Sequence, residues 1–350
     1  MANKTITMTD IARAAGVSKN TVSLALRSDP QIPADTRARI QSLAIQMGYQ
    51  RNPTVAHLMA QLRASRGRNP RASLALVNAH PDPEAFKRHA TIPTYVAGCR
   101  RRAALMGYGL DPIWLHDPNL NGLRLNRILK ARGIRGIILV GLMKSNRLPE
   151  HFRETWSHYP CAVTGVRTRG PELSFACADH HGIALAAFEK AMELGYKRPG
   201  LVLDETIHNL VEGRFAAGYM IGQQRLPPGD RLQPFFDLDA AHADRTVFRR
   251  WLEKEQPDVV FTLYNRVAVW LDKLNYKIPR DIGLIQLEWR QDRPEFAGIH
   301  QHNDLAGEAA VDMVISMIHN GESGLPAFPR ATLIGGTWMD GATVRIRESL

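Results

Sequence analysis

Lys19 and Asn20 stand together directly after Ser18, where the residue pattern predicts that a short helix begins. A Lys ammonium can donate to guanine O6 and N7, and an Asn amide can bond adenine in a bidentate way, so the pair has the chemistry to read base edges in a major groove. The charge around the pair suits the same partner. Residues 1–70 hold ten Lys and Arg against three Asp, which places seven of the net +11 charges of this 350-residue chain on its first fifth. Such clustering is the electrostatic footprint expected of a phosphate-contacting module.

The elements that must position this pair are legible in the local sequence. Thr7-Met8-Thr9-Asp10 fits a capping box and predicts a helix from Met8 with Ile11, Ala12 and Ala15 on its inner face. Gly16 supplies a turn that needs positive φ, Val17 follows as an apolar plug, and Ser18 caps a second helix to about Leu26. Val22, Ala25 and Leu26 share one face of that helix, leaving Lys19, Asn20, Ser23 and Arg27 outside. A third helix, from about Ala34 to Met47, carries Ile40, Leu43, Ala44 and Met47 inward and stops at Gly48. Two short helices around a Gly turn also suit a plain helical bundle; the capping residue, turn Gly, Val-Ser, Thr-Val-Ser and closing Gly48-Tyr49, together and in order, set this head apart.

In those residues the head, over residues 4 to 60, closely resembles the helix-turn-helix of the lactose repressor (LacI/GalR) family. The resemblance implies that Lys19 and Asn20 read bases and that Thr7, Thr21 and Ser23 lie near phosphates, with Ser18 and Arg27 in the same DNA-binding surface. Leu24 stands where relatives often carry a base-reading Arg, which is either a lost contact or an apolar contact to a thymine methyl. Asn52 can cap a helix with Pro53 in its first turn. The family places its hinge helix there, and Leu58 matches the Leu that wedges into the minor groove. Pro53 and His57 are unusual for the family at these positions.

Beyond a polar linker from Arg63 to Ala72, apolar strand-like runs alternate with helical patterns. The strands are expected at Ser73–Val77, Gly109–Leu115, Gly136–Gly141, Cys161–Gly165, Pro199–Leu203, Asp258–Leu263 and Ile282–Leu287. Helices are expected at Tyr95–Met106, Leu120–Ala131, Gly182–Leu194, Gly213–Gln224, Arg266–Leu274 and Leu305–His319. That rhythm is the sign of βαβ units with parallel sheets, in two series around one cleft. It resembles the family's effector-binding core, which is itself like periplasmic sugar-binding proteins. The matching stretches include Ala178-Asp179, Gly195-Tyr196-Lys197-Arg198, Pro257-Asp258 and Ile278-Pro279-Arg280-Asp281. The resemblance implies an effector site with Arg214, Asn265 and Glu288, and Trp289 beside it could stack on a ring. A charged fork, an amide and a carboxylate suit a hydroxyl-rich or charged small molecule.

Other classes find little support. No G-x-G-x-x-G follows the first strand and no phosphate-loop motif occurs, while Gly321-Glu322-Ser323-Gly324 falls in a loop, so no catalytic residue is assigned. His180-His181 and His300-x-His302 lack a third ligand at metal spacing, and neither a metal nor a cofactor is expected. Cys99, Cys161 and Cys177 are widely separated, no eighteen-residue apolar run exists, and the first ten residues lack an apolar core. A reduced cytoplasmic chain with no membrane partner is expected. With 44% hydrophobic and 23% charged residues the chain can bury ordinary cores. The expected architecture is an all-α helix-turn-helix head over 1–51, a hinge helix and linker over 52–72, and a two-lobed α/β periplasmic-binding-protein-like core with parallel sheets over 73–345. The expected function is a transcriptional regulator, in repressor form, acting as a homodimer on a pseudo-palindromic double-stranded operator under control of a small, sugar-like effector. A cytosolic small-molecule-binding protein of the same core fold, with no DNA role, is the alternative.

Overall fold

The computed structural model describes residues 6–26, 29, 31–49 and 72–345. The expected roles of Arg27, Asn52 and Leu58, and the hinge helix, lie outside the described residues.

Local chemistry builds the head as expected. Helix α1 spans Met8–Ala15 and opens on a complete capping box: the Asp10 amide donates to the Thr7 hydroxyl at 3.4 Å, and the Asp10 carboxylate accepts from the Thr7 amide at 2.9 Å. Gly16 takes φ of 67°, which lets the chain reverse into α2, Lys19–Ala25. Ser18 caps α2 by accepting from the Thr21 amide at 3.0 Å. Helix α3 spans Ala34–Gln46 and is tied to the end of α2 through Gln41 Nε2, which donates to the Ala25 carbonyl at 3.0 Å. Ile11, Ala12, Ala15, Val22, Ala25, Ile40 and Ala44 form the buried centre; Leu26, Leu43 and Met47 close it from the edge and are half-buried. Alanines at the contacts let three short helices pack closely.

Behind the head lie two sheets. The first has strand order β10-β5-β4-β3-β1-β2, from β1 Ser73–Asn78, β2 Gly109–Trp114, β3 Ile134–Val140, β4 Cys161–Thr164, β5 Ser174–Ala178 and β10 Ala331–Ile334, all paired in parallel. The second runs β11-β9-β8-β7-β6, from β6 Pro199–Val202, β7 Val259–Thr262, β8 Gly283–Gln286, β9 Ala297–His300 and β11 Thr337–Met339, with only the β11–β9 pair antiparallel. Along β1, Ala75 and Val77 enter one core cluster while Leu74 and Leu76 enter another. Both faces of β1 are therefore covered, which is why it reads as a near-continuous apolar run without alternation, whereas the edge strands β2 and β10 stay partly exposed. Val260 and Leu284 face one cluster of the second sheet, with Val259, Phe261 and Ile285 facing the other.

The chain passes between the lobes three times. It leaves β5 through Asp179 into the helix His180–Glu193, which packs in the second lobe. It returns from β9 through Gln301 and His302 into the helix Asn303–Asn320, which packs on the first sheet. The last passage runs from β10 through Gly335 and Gly336 to β11. Two close crossings stiffen the lobes. A Cβ on Gly98 would lie 1.9 Å from the Asp304 carbonyl oxygen, and one on Gly218 would lie 2.1 Å from that of His181, so only glycine admits these helix pairs.

Several elements differ from the sequence expectation. The helix expected from Gly182 starts two residues earlier, because the Asp179 carboxylate accepts from the Gly182 amide at 3.1 Å and caps it. Strands β5 and β9 and the helix Thr246–Glu255 have no counterpart in that reading. Both strands are short and are defined by partners distant in the chain, such as Arg330 for Phe175 and Thr343 for Ala297.

Candidate nucleic-acid interface and ligand cleft

On the head, Ser18 and the first two residues of α2, Lys19 and Asn20, are exposed, whereas Thr21, Ser23 and Leu24 are half-buried. The N-terminal end of α2 thus presents an ammonium and an amide on a helix held from behind by Val22 and Ala25. This is the geometry in which the leading residues of a recognition helix reach base edges. Thr7 is exposed at the start of α1, and its hydroxyl is engaged with Asp10. The Thr21 and Ser18 hydroxyls bond each other at 2.8 Å. These groups shape the helix starts, the Thr7 and Ser18 hydroxyls each accepting from an amide of the first turn.

The second site forms beyond the ends of β7 and β8 in the second sheet, the usual place for ligands in parallel α/β folds. A pocket of about 200 Å³ is lined by Leu263, Tyr264, Asn265, Arg266, Gln286, Glu288, Arg290, Arg293 and Phe296. Glu288 is its fixed point: Oε2 accepts from Arg290 Nη2 at 3.0 Å and Oε1 from Asn303 Nδ2 at 3.2 Å. Arg290 Nη2 also donates to the Thr91 hydroxyl at 3.1 Å, which joins the second lobe to the first. Asn265 Oδ1 accepts from Gln286 Nε2 at 3.2 Å. Tyr264 donates its hydroxyl to the Asp204 carboxylate, and its ring lies 5.1 Å beneath the Arg266 guanidinium. Burial, reinforced by Asp204, pushes the Tyr264 phenol far above its ordinary range, so it stays a neutral donor.

Of the four effector residues expected from sequence, Asn265 and Glu288 line this pocket, and Arg214 and Trp289 do not. Arg214 turns to Glu212 at 3.2 Å and to the Cys177 sulfur at 3.7 Å, with the Phe175 ring 5.3 Å away. Trp289 packs edge-on against His300, with its indole nitrogen buried and unpartnered. The phenol of the buried Tyr95 is pushed well up, by desolvation first and by the charges of Glu288 and Cys177 after it. His180, beside Arg214, is fully enclosed; burial first and the Arg214 charge second lower its pKa to about 4, so it is neutral. Burial likewise lowers His89 and His80 on the first lobe's rim.

Arg290, Thr91, Gln286, Tyr264 and Asn303 escaped the sequence reading. Arg290 carried one signal, its place two residues beyond Glu288 after a buried strand. Thr91 and Asn303 carried none, because each reaches the cleft only through the packing of the other lobe.

The chain joins a three-helix head, whose second helix presents Lys19 and Asn20, to a two-lobed α/β core with a polar pocket. Residues 7–52 match the model of the bacterial regulatory proteins of the lacI family, and the head is a lacI-family helix-turn-helix domain. The chain is 23% identical to the HTH-type transcriptional regulator TreR of Escherichia coli (strain K12) over 195 residues, 55% of each protein, so the match spans about half that relative's length. Its fold is similar to a transcriptional regulator CelR–cellobiose complex, with a TM-score of 0.59 and 18% identity over 97% of this chain and 99% of that one. It is also similar to the lac repressor dimer bound to operator and the anti-inducer ONPF, with a TM-score of 0.57 and 18% identity over 98% and 100% of the two chains. Among the described residues no helix is long and apolar enough to cross a membrane.

Proposed function

We propose that this protein is a sequence-specific, DNA-binding transcriptional regulator, acting as a repressor, whose operator affinity is set by a small molecule held between the core lobes. The carrying observation is the exposure of Lys19 and Asn20 at the start of a helix capped by Ser18, within a domain of the lacI family. The head acts over residues 1–51, a hinge over 52–72 and the core over 73–345, in the cytoplasm. Two heads in a homodimer address a pseudo-palindrome, as half-site symmetry requires. Lys19 and Asn20 specify sequence; Thr7, Thr21 and Ser23 position the head on phosphates, Ser18, Leu24 and Arg27 belong to the same DNA-binding surface, and Asn52 and Leu58 act through the hinge. Asn265 and Glu288 bind the effector directly, and Arg214 and Trp289 act from outside the pocket's lining. A ligand that closes the lobes selects one of two core arrangements and so biases the heads. The similar structures with cellobiose and with operator support this reading. It requires no catalytic step.

Selection of the full-length protein against random duplexes at two salt concentrations tests it. Enrichment of a palindrome, with affinity falling steeply as salt rises, is the expected result. No enriched sequence, with or without a metabolite extract, overturns it and leaves a ligand-binding protein without a DNA role.

A further inference from the structure

The cleft holds more positive charge than its own carboxylate neutralises. Arg266, Arg290 and Arg293 line the pocket, and Glu288 is the one acidic residue that lines it with them. Glu288 is already bonded by Arg290 and Asn303. Arg290 commits Nη2 to Glu288 and Thr91, and its Nη1 and Nε make no bond among the described residues. Arg266 and Arg293 are exposed and form no ion pair there. Arg266 is held in place by the Tyr264 ring, which the Asp204 bond fixes; that carboxylate also caps the helix Glu205–Leu210 through the Ile207 amide and makes no ion pair with the arginine among the described residues. Asp292 and Glu295, next to Arg293 in the chain, are exposed and do not line the pocket.

A second observation points to hydroxyls. Asn303 is 6% exposed and donates to Glu288, yet its carbonyl Oδ1 is buried without a hydrogen-bond partner. A buried acceptor left unmade costs stability, and although Asn303 is not among the residues that line the pocket, a ligand hydroxyl reaching past Glu288 would satisfy it. The Gln286–Asn265 amide pair leaves the Gln286 carbonyl and the Asn265 N–H for the same molecule.

Taking the cleft as the effector site proposed above, we infer that its ligand is a small polyhydroxylated acid, with the oxyanion, carboxylate or phosphate, on the Arg266–Arg290–Arg293 guanidiniums and a hydroxyl on Asn303. Guanidiniums offer planar forks that match either oxyanion, and a neutral sugar would leave Arg266 and Arg293 without an anionic partner in the pocket, Arg290 being paired with Glu288.

Thermal melting of the full-length protein at constant ionic strength tests this with four probes: inorganic phosphate, glucose, glucuronate and glucose 6-phosphate. Phosphate and at least one of the two acids are expected to raise the Tm, and glucose is not; which acid acts separates a carboxylate from a phosphate ester. In the R266Q/R293Q variant the apparent Kd for phosphate is expected to rise at least ten-fold, and R266K/R293K, which keeps the charge, recovers part of the loss. An equal phosphate response in wild type and R266Q/R293Q, no response to phosphate or either acid, or a larger shift with glucose than with both acids, overturns the inference. The duplex selection fails separately: a protein that selects no operator but shows the arginine-dependent shift loses the regulatory reading and keeps this one.

Discussion

Arg290 and Thr91 stand 199 positions apart in the chain and meet across the cleft, the guanidinium Nη2 donating to the threonine hydroxyl at 3.1 Å. The same nitrogen bonds Glu288, so one side chain both neutralises the cleft's carboxylate and latches the lobes. A ligand that draws Arg290 Nη2 away from the Thr91 hydroxyl breaks this contact between the lobes.

Thr91→Val removes the latch and keeps the volume. Because the bond involves a charged donor on a half-buried pair, the loss is expected to be about 1 kcal/mol of unfolding free energy. The radius of gyration without ligand should rise. Denaturant melts and small-angle scattering check both, and an unchanged scattering curve would show that the bond does not hold the lobes.

Asn20→Ala is expected to weaken operator binding by about 1–3 kcal/mol and to relax preference at a single base pair in each half-site. A phosphate contact would instead weaken all sequences equally and flatten the salt dependence. Repeating the duplex selection with the variant separates the two.

Thr7→Ala removes the hydroxyl that accepts from the Asp10 amide and donates to its carboxylate, and leaves of the capping box only the bond from the residue 7 backbone amide to the Asp10 carboxylate. The expected cost is about 1 kcal/mol, confined to the head. Amide exchange should accelerate over α1 while the core is unchanged; acceleration throughout the chain would contradict a local cap.

His180 sets a pH limit on the core. Its folded pKa of about 4 lies below the ordinary 6.5, from burial, with the Arg214 charge adding and Asp179 opposing. The unfolded chain therefore binds the proton first as pH falls. Stability from this group is complete above about pH 6.5 and is lost as pH drops toward 4, by up to about 3 kcal/mol. His180→Gln should flatten the pH dependence of Tm over that window; an unaltered slope would place the dependence on other groups.

Gly98→Ala drives a methyl against the Asp304 backbone, where no flexible side chain can give way. The helices Ile92–Leu105 and Asn303–Asn320 must separate, with an expected loss of about 3 kcal/mol. Melting of this variant beside Gly229→Ala, where a Cβ meets nothing within 4 Å, isolates the crossing from the generic effect of losing a glycine.

What the sequence by itself determined is the chemistry that acts within one turn or one helix. The Thr7–Asp10 box, the Gly16 turn, the Ser18 cap and the inner stripe Ile11, Val22 and Ile40 are set by residues a few positions apart, so the head and the outward pair Lys19 and Asn20 could be read directly. The α/β rhythm of the core was legible for the same reason, since strands buried on both faces are continuous apolar runs. Tertiary structure alone decided the sheet orders, because β10 finds β5 across some 150 residues and β1 lies between β2 and β3. It also decided the composition of the cleft. Glu288 and Asn265 could be expected there, but Arg214 turned toward Glu212 and Cys177, and Thr91 and Asn303 arrived from the opposite lobe. Their positions follow from long-range packing, in which a side chain's partners are set by how two lobes cross three times and not by its neighbours in the chain.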